Sequence, residues 1–253
     1  MMARSPENRL RLDDLLVRRG LYATRSRARD AVSRGTVWVS GAVVSKPGLF
    51  IPEDSFVETD DAAQVYVSRA ALKLKAGLDH FLLSPEGRNA LDIGASTGGF
   101  SQVLLERGAA HVTAVDVGHG QMHSRLLNDS RIASLEGLNA RDLVLKNIEG
   151  RKIGFLVGDV SFISLKLALP NALALAEPGA QCVLLVKPQF EAGREAIGKG
   201  GLLKDKTLGE KIARDLSGWL DAQPHWRSLG FCASPIGGGD GNREYLLAGI
   251  KDR

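Results

Sequence analysis

The strongest constraint on this chain is an apolar run that closes on a glycine turn, then a helix, then a second apolar run that closes on a carboxylate. The first run and turn are Leu91-Asp92-Ile93-Gly94-Ala95-Ser96-Thr97-Gly98-Gly99-Phe100. The second run is His111-Val112-Thr113-Ala114-Val115-Asp116. Strand, turn, helix, strand is the unit from which parallel α/β sheets are built. Glycine has no Cβ, so such a turn lets main-chain N–H groups come close to a ligand. A carboxylate at the tip of the next strand can accept hydrogen bonds from both hydroxyls of a ribose. Together they describe a pocket for a nucleoside-bearing cofactor. In Gly94-x-Ser96-x-Gly98-Gly99 a serine stands where the dinucleotide fingerprint has its second glycine, which weighs against a pyrophosphate. S-adenosylmethionine has no pyrophosphate, and its binding turns tolerate serine there.

The rest of the second half alternates in the same way. The patterning predicts an amphipathic helix over 68–83 with Arg69 and Lys73 on one face. It then predicts a strand over 90–94, a helix over 99–107, strands over 111–116, near 133–135 and over 154–158, and a helix over 165–176. A strand over 181–186, a helix over 207–220 and strands over 227–233 and 244–250 complete it. This is a mostly parallel sheet with helices on both faces, in which ligands bind beyond the carboxyl ends of the strands. The last connection, Gly237-Gly238-Gly239-Asp240-Gly241-Asn242, is too short for a helical crossover. The final strand is therefore expected to run antiparallel to its predecessor.

The first 60 residues read differently. Leucines over 9–20 fall at near-helical spacing with Gly20 as a stop, and a second helix runs from Thr24 to Gly35. Short strands are expected at Val37–Val39, Val43–Val44 and, after a turn, Ser55–Glu58. The division is a small domain over 1–61, a polar linker over 62–67 and a larger domain over 68–253. Charge follows it. Residues 1–50 hold nine Arg and one Lys against four acids, a net +6, while the remainder is −2. Such a basic segment attracts phosphate backbones. Cys182 and Cys232 have no partner at metal-ligand spacing and read as reduced core thiols, so no metal is expected. No apolar run approaches the roughly 18–20 residues of a membrane span, and residues 1–7 lack the apolar stretch of a signal peptide. A cytoplasmic protein, with no membrane partner, is expected.

Three strings, R-L-D-D-L-L-V-R-R-G, S-R-A-R-D-A-V and G-T-V-W-V-S-G-A-V-V, make the N-terminal module resemble the S-four RNA-binding domain. Such domains dock a helix pair and adjoining loop onto structured RNA. The resemblance implies RNA contacts at Arg9, Arg25, Ser26, Arg27, Arg29 and Lys46, and Arg69 is expected to join them.

Polar residues stand at the expected strand ends of the larger domain: Asp159, Lys187 and, if the last strand is antiparallel, Glu244. A lysine closing five apolar residues calls for a partner or a role. With Lys73, these residues match the K-D-K-E tetrad of the FtsJ-like ribose 2′-O-methyltransferases. Further strings, among them S-R-A-A-L-K-L, V-D-V-G-H-G-Q, L-N-A-R, D-V-S-F-I-S-L, L-V-K-P-Q-F-E and N-R-E-Y-L, make the whole chain resemble the TlyA family, also called hemolysin A. That resemblance implies a Rossmann-like, seven-stranded methyltransferase fold behind a small α+β S-four-type domain. It also implies S-adenosylmethionine as cofactor and cytidine 2′-hydroxyls of ribosomal RNA as acceptor.

On this reading Lys187 activates or orients the hydroxyl, and Lys73 supplies a neighbouring cation. Asp159 orients Lys187 and faces the sulfonium, while Glu244 holds Lys73 or the ribose. Cofactor contacts fall to Gly94, Ala95, Ser96, Gly98, Gly99, Phe100, Asp116, Asn139 and Asp159. The Gly/Lys-rich segment 193–206 is expected to be a mobile loop that closes on RNA. Nine residues follow Glu244, fewer than in family members acting on both subunits, so the large subunit alone is the expected target, met by a monomer. Rival readings are a cytolysin, a non-catalytic RNA-binding assembly factor and a nicotinamide-dependent oxidoreductase. The first finds no physical support, the second is opposed by the intact tetrad, and the third is opposed by Ser96.

Overall fold

A computed structural model describes residues 8–252; residues 1–7, read above as lacking a signal peptide, lie outside them. The chain splits into two compact units, Met1–Val65 and Tyr66–Arg253. In the first, β1 (Arg9–Arg11) leads into α1 (Leu12–Arg18) and α2 (Arg25–Ser33). The strands β2 (Val37–Val39), β3 (Ala42–Val43), β4 (Phe50–Pro52) and β5 (Val57–Thr59) follow. Thr24 accepts the Arg27 N–H and starts α2. Leu12, Leu15 and Leu16 on α1 pack with Ala28, Ala31 and Val32 on α2 and with Val37 and Ile51. Each fully buried leucine contributes about 1.5–3 kcal/mol.

The helix expected from residue 9 begins at Leu12 instead. Residues 9–11 pair antiparallel with β4, Leu10 opposite Ile51. Arg9-Leu10-Arg11-Leu12 alternates with period two as well as fitting a helix, and the partner strand forty residues away decides between them. β5 likewise starts at Val57, because Val57 and Thr59 register with Val39 and Val37.

The second unit opens with α3 (Ala71–Phe81), β6 (Asn89–Ile93), α4 (Gly99–Glu106), β7 (His111–Asp116), α5 (Ser124–Leu127) and β8 (Ile132–Glu136). It continues with β9 (Ile153–Gly158), α6 (Leu165–Ala168), α7 (Pro170–Leu175), β10 (Ala176–Val186) and α8 (Pro188–Glu191). It closes with α9 (Leu208–Asp221), β11 (Trp226–Ala233) and β12 (Tyr245–Lys251). The strands form one seven-stranded sheet in the order β11-β12-β10-β9-β6-β7-β8. Those from β10 through β8 are parallel, and β12 is antiparallel to both β10 and β11. Apolar side chains on both faces of the sheet form two cores against the helices.

The single helix expected over 165–176 is two. Pro170 has no N–H to continue the ladder and opens α7 as its first residue. β10 is also longer than expected, with its register to β9 shifting between Ala176 and Gln181. Pro178 lacks a ladder donor and Gly179 sits at φ +82° there.

β7 and β9 lie on opposite sides of β6, so the strand order reverses between β6 and β9. In open α/β sheets this reversal leaves a crevice at the carboxyl ends. Gly94 follows β6 and Asp159 follows β9, joined by the Asp159 N–H to Ile93 carbonyl bond of 2.8 Å.

Candidate active site

The crevice holds a cavity of about 510 Å³ lined by Gly94, Ser96, Asp116, Asn139, Asp159 and Phe162 together with apolar residues. A second, of about 190 Å³, is lined by Ala95, Ser96, Gly99, Phe100, Ser161 and Lys187 among others. Gly94, Ser96, Asp159 and Ser161 border both.

The turn has the shape its glycines require. Gly94 sits at φ +82°, and a Cβ there would lie 2.6 Å from the Asp159 carbonyl oxygen, closer than any side chain tolerates. Ser96 is also left-handed, at φ +47°. Its N–H donates to Asp116 Oδ2 at 2.8 Å and its hydroxyl donates to Gln121 Oε1 at 3.0 Å. Ser96 therefore fixes the turn and does not cap α4, whose cap is Gly98. Asp116 takes a second N–H, from Gly118, at 2.8 Å. Each carboxylate oxygen keeps a lone pair.

Asn139 lies across the larger cavity, its Oδ1 accepting the Arg141 N–H at 3.1 Å. Ala95 and Phe100 are buried, as part of the core as well as of the smaller cavity wall. Gly98 packs against α5: a Cβ on it would meet Leu126 Cδ1 at 2.3 Å and Met122 Sδ at 2.5 Å.

The four tetrad residues meet as two ion pairs. Lys73 on α3 is bonded to Glu244, which enters β12, and both are sealed, 5% and 2% exposed. Arg69, expected on the same helix face as Lys73, lies in the turn before α3. Burial holds the Glu244 carboxyl above the usual range, and the Lys73 ammonium opposes that shift. Lys187 and Asp159 also act on Glu244, with opposite signs. At the end of β10, Lys187 Nζ lies 2.6 Å from Asp159 Oδ1, outside hydrogen-bond geometry. It donates instead to Ser161 Oγ at 2.8 Å. This second pair borders the smaller cavity.

Three residues near these cavities are absent from the expected set. Ser161 holds Lys187. Phe162 is 89% exposed at φ +66°, its ring 5.0 Å from that of Phe190. Asp92, inside β6, is wholly buried, accepts the Ser101 hydroxyl at 2.6 Å through Oδ2, and leaves Oδ1 without a partner. Burial pushes its carboxyl up to about 7; the Ser101 bond opposes this, and the charges of Asp159 and Asp116 add to it. Its sequence signal was a charge inside an apolar strand.

In the first unit the expected RNA contacts divide. Ser26, Arg29 and Lys46 are exposed. Arg25 is exposed too but is held 2.7 Å from Asp14 and 3.3 Å from Asp13. Arg9 donates to the Phe50 carbonyl and Arg27 to that of Ala63. Among the described residues no helix is long and apolar enough to cross a membrane, and no group of three or more His, Cys, Asp or Glu is placed to hold a metal.

Known proteins match both units. The FtsJ-like methyltransferase family matches residues 66–251 and the S4 domain matches residues 10–57. The 16S/23S rRNA (cytidine-2′-O)-methyltransferase TlyA of Mycobacterium tuberculosis is 42% identical over 240 residues, covering 94% of this chain and 89% of that protein. The 23S rRNA (cytidine-2′-O)-methyltransferase TlyA of Campylobacter jejuni is 39% identical over 208 residues, 79% of each. A solved structure from Streptococcus thermophilus that bears the hemolysin name aligns with a TM-score of 0.74 at 39% identity, covering 98% of this chain and 90% of that one. With its tetrad gathered at the switch point of a seven-stranded sheet and an S4 domain ahead of it, this chain belongs to the FtsJ-like methyltransferases and, within them, to the TlyA family.

Proposed function

We propose that this enzyme methylates cytidine 2′-hydroxyls of ribosomal RNA in the cytoplasm, as a monomer, using S-adenosylmethionine. Large-subunit RNA is the proposed acceptor, because both TlyA relatives above carry 23S rRNA in their names. The observation that carries the reading is the Lys187–Asp159–Ser161 cluster, which borders the cavity beside the Gly94–Ser96 turn.

The residues present fit the cofactor. A cavity of about 510 Å³ suits a nucleoside, Asp116 has lone pairs for ribose hydroxyls, and Asn139 with Val117 and Leu138 frames an adenine-sized space. Asp159 offers negative charge to a sulfonium. S-adenosylmethionine supplies an activated methyl group when bound. The protein has to hold the hydroxyl oxygen in line with that methyl and let one proton leave.

Lys187 holds it. An ammonium has three N–H donors; Ser161 takes one and Asp159 faces another, which leaves the third for the acceptor oxygen. Lys187 thus holds one lone pair of the hydroxyl oxygen and leaves the other for the methyl group, and the hydroxyl proton is released to solvent through the open cavity. Lys73 and Glu244 brace the cluster from behind. Phe162, exposed and held in a left-handed conformation at the cavity rim, is a stacking surface for the cytosine, as RNA-modifying enzymes need for a base taken out of its stack. The S4 unit binds RNA through exposed Ser26, Arg29 and Lys46, with Arg9, Arg25 and Arg27 adding charge. Arg69, in the methyltransferase unit, is a separate proposed RNA contact.

The test is transfer of labelled methyl from S-adenosylmethionine to subunits from cells lacking this gene. Label on large-subunit cytidines, lost with Lys187→Ala, is the expected result. No label on any ribosomal RNA despite cofactor binding would overturn it.

A further inference from the structure

The segment 193–206 carries more structure than its composition suggests. It folds as a small hairpin: Ile197 bridges Leu203, the Gly198 N–H donates to the Leu202 carbonyl at 2.7 Å, and the Lys204 N–H donates to the Ala196 carbonyl at 3.0 Å. Yet none of its residues is buried, so apolar packing does not hold it in place. Arg194, Lys199 and Lys206 stand exposed on it.

A polar clamp holds it instead. Asn242 is only 4% exposed. Its Nδ2 donates to the Gly201 carbonyl and to Asp240 Oδ2, both at 2.8 Å, and its Oδ1 accepts the Leu203 N–H at 3.0 Å. Asp240 Oδ2 also accepts from Gln189 Nε2 at 3.2 Å, two residues after Lys187. The turn carrying Asp240 closes against the tetrad, since a Cβ on Gly238 would lie 2.9 Å from Glu244 Oε1. One buried amide thus joins a cationic hairpin to the elements that deliver Lys187 and Glu244.

We propose that Asn242 is a positioning residue for methyl transfer: it fixes the 194–204 hairpin over the tetrad so that the hairpin's cations seat the RNA strand with its ribose at Lys187. This rests on the RNA-methylating reading above. A buried amide with three of its four hydrogen bonds made is a rigid joint, and losing it strands the Gly201 and Leu203 groups. The hairpin then swings without disturbing the sheet or the cofactor turn.

The experiment compares steady-state kinetics of Asn242→Ala, Lys199→Ala and the double variant on large subunits, with cofactor affinity by calorimetry and hydrogen exchange of the hairpin amides. Asn242→Ala is expected to raise KM for RNA about tenfold, with kcat within a few-fold and cofactor affinity unchanged. The Leu203 and Lys204 amides should exchange faster. Lys199→Ala should raise KM in the wild-type background and add little in the Asn242→Ala background, because a released hairpin no longer presents its cation. Additive effects, or an unchanged KM with intact wild-type activity, would overturn the proposal. If Asn242→Ala does not fold, Asn242→Asp, which keeps the acceptor for Leu203 and loses both donors, carries the same comparison. Wild-type protein with a protected hairpin and no methyl transfer to any ribosomal RNA would instead overturn the function on which the proposal rests, and the proposal with it.

Discussion

Two lysine–carboxylate pairs built from the same chemistry sit side by side, and their surroundings differ. Lys73 and Glu244 are sealed. Lys187 and Asp159 keep 12% and 17% of their side chains exposed, at the wall of a cavity. Removing two charges from water costs several kcal/mol per ion, which their attraction offsets only when the geometry is good. The sealed pair is out of a substrate's reach. The open pair is less completely desolvated and borders the smaller cavity. Reactivity belongs with the pair that retains access, and rigidity with the one that does not.

Four substitutions would break or sharpen that contrast. Lys187→Ala is expected to cost about 10²–10³-fold in methyl transfer, on the scale of losing a key donor at the reacting centre, while thermal unfolding stays close to wild type. A large fall in melting temperature would remove the distinction between the pairs. Lys73→Met leaves Glu244 buried without its cation and should destabilise by about 3–5 kcal/mol. Adding Glu244→Leu should recover much of that stability without recovering activity, readable by urea titration beside the methyl assay. Stability recovered together with full activity would mean that the sealed pair only fills space. Phe162→Ala removes an exposed ring and should leave stability alone, with a smaller effect on cofactor affinity than on RNA because Phe162 also borders the cofactor cavity. Its KM for RNA should rise by roughly ten- to a hundredfold, the 1–3 kcal/mol of one stacked base; an unchanged KM would remove Phe162 from the acceptor site.

The smallest effect concerns a second sealed carboxyl, one with no cation. Asp92 binds its proton up to about 7 in the folded protein but only to about 4 when unfolded. Its contribution is complete below about pH 4 and is lost as pH rises through about 7, because the folded state there holds a proton that the unfolded state has already released. Asp92→Asn, which cannot ionise, should therefore gain in melting temperature relative to wild type as pH is raised from about 4 to 7. No further relative change is expected above that. A difference that is flat across this range would show Asp92 ionised throughout.

Much of the site was legible in the sequence because it lies in order along the chain. Gly94, Ser96, Asp116, Asp159 and Lys187 each follow or end a recognisable strand, and a parallel sheet brings strand ends to one rim. Glu244 could be placed there only because the 237–242 connection is too short for a helix, which turns β12 around. Residues defined by a partner far along the chain were not legible. Arg9–Arg11 has a pattern that suits a helix until β4 pairs with it. Ser161 is one serine among many until Lys187 points at it. Asn242 sat within a family string without any sign that it holds a hairpin forty residues upstream. The glycines and lysines of 193–206 gave no sign of a hairpin because composition cannot show a clamp supplied from elsewhere.

The reversed strand β12 also sets a timetable. It lies between β10 and β11 in the sheet but follows both in the chain. During synthesis, at about 5–20 residues per second, β10 and β11 are made before the strand that separates them, and β11 has no other strand partner in the sheet. The same late strand brings Glu244 and, just ahead of it, Asn242. The parallel part of the sheet, with its cofactor crevice and the Lys187–Asp159 pair, thus precedes in the chain the carboxylate that seals Lys73. The tetrad is complete only when β12 slots into the gap between β10 and β11.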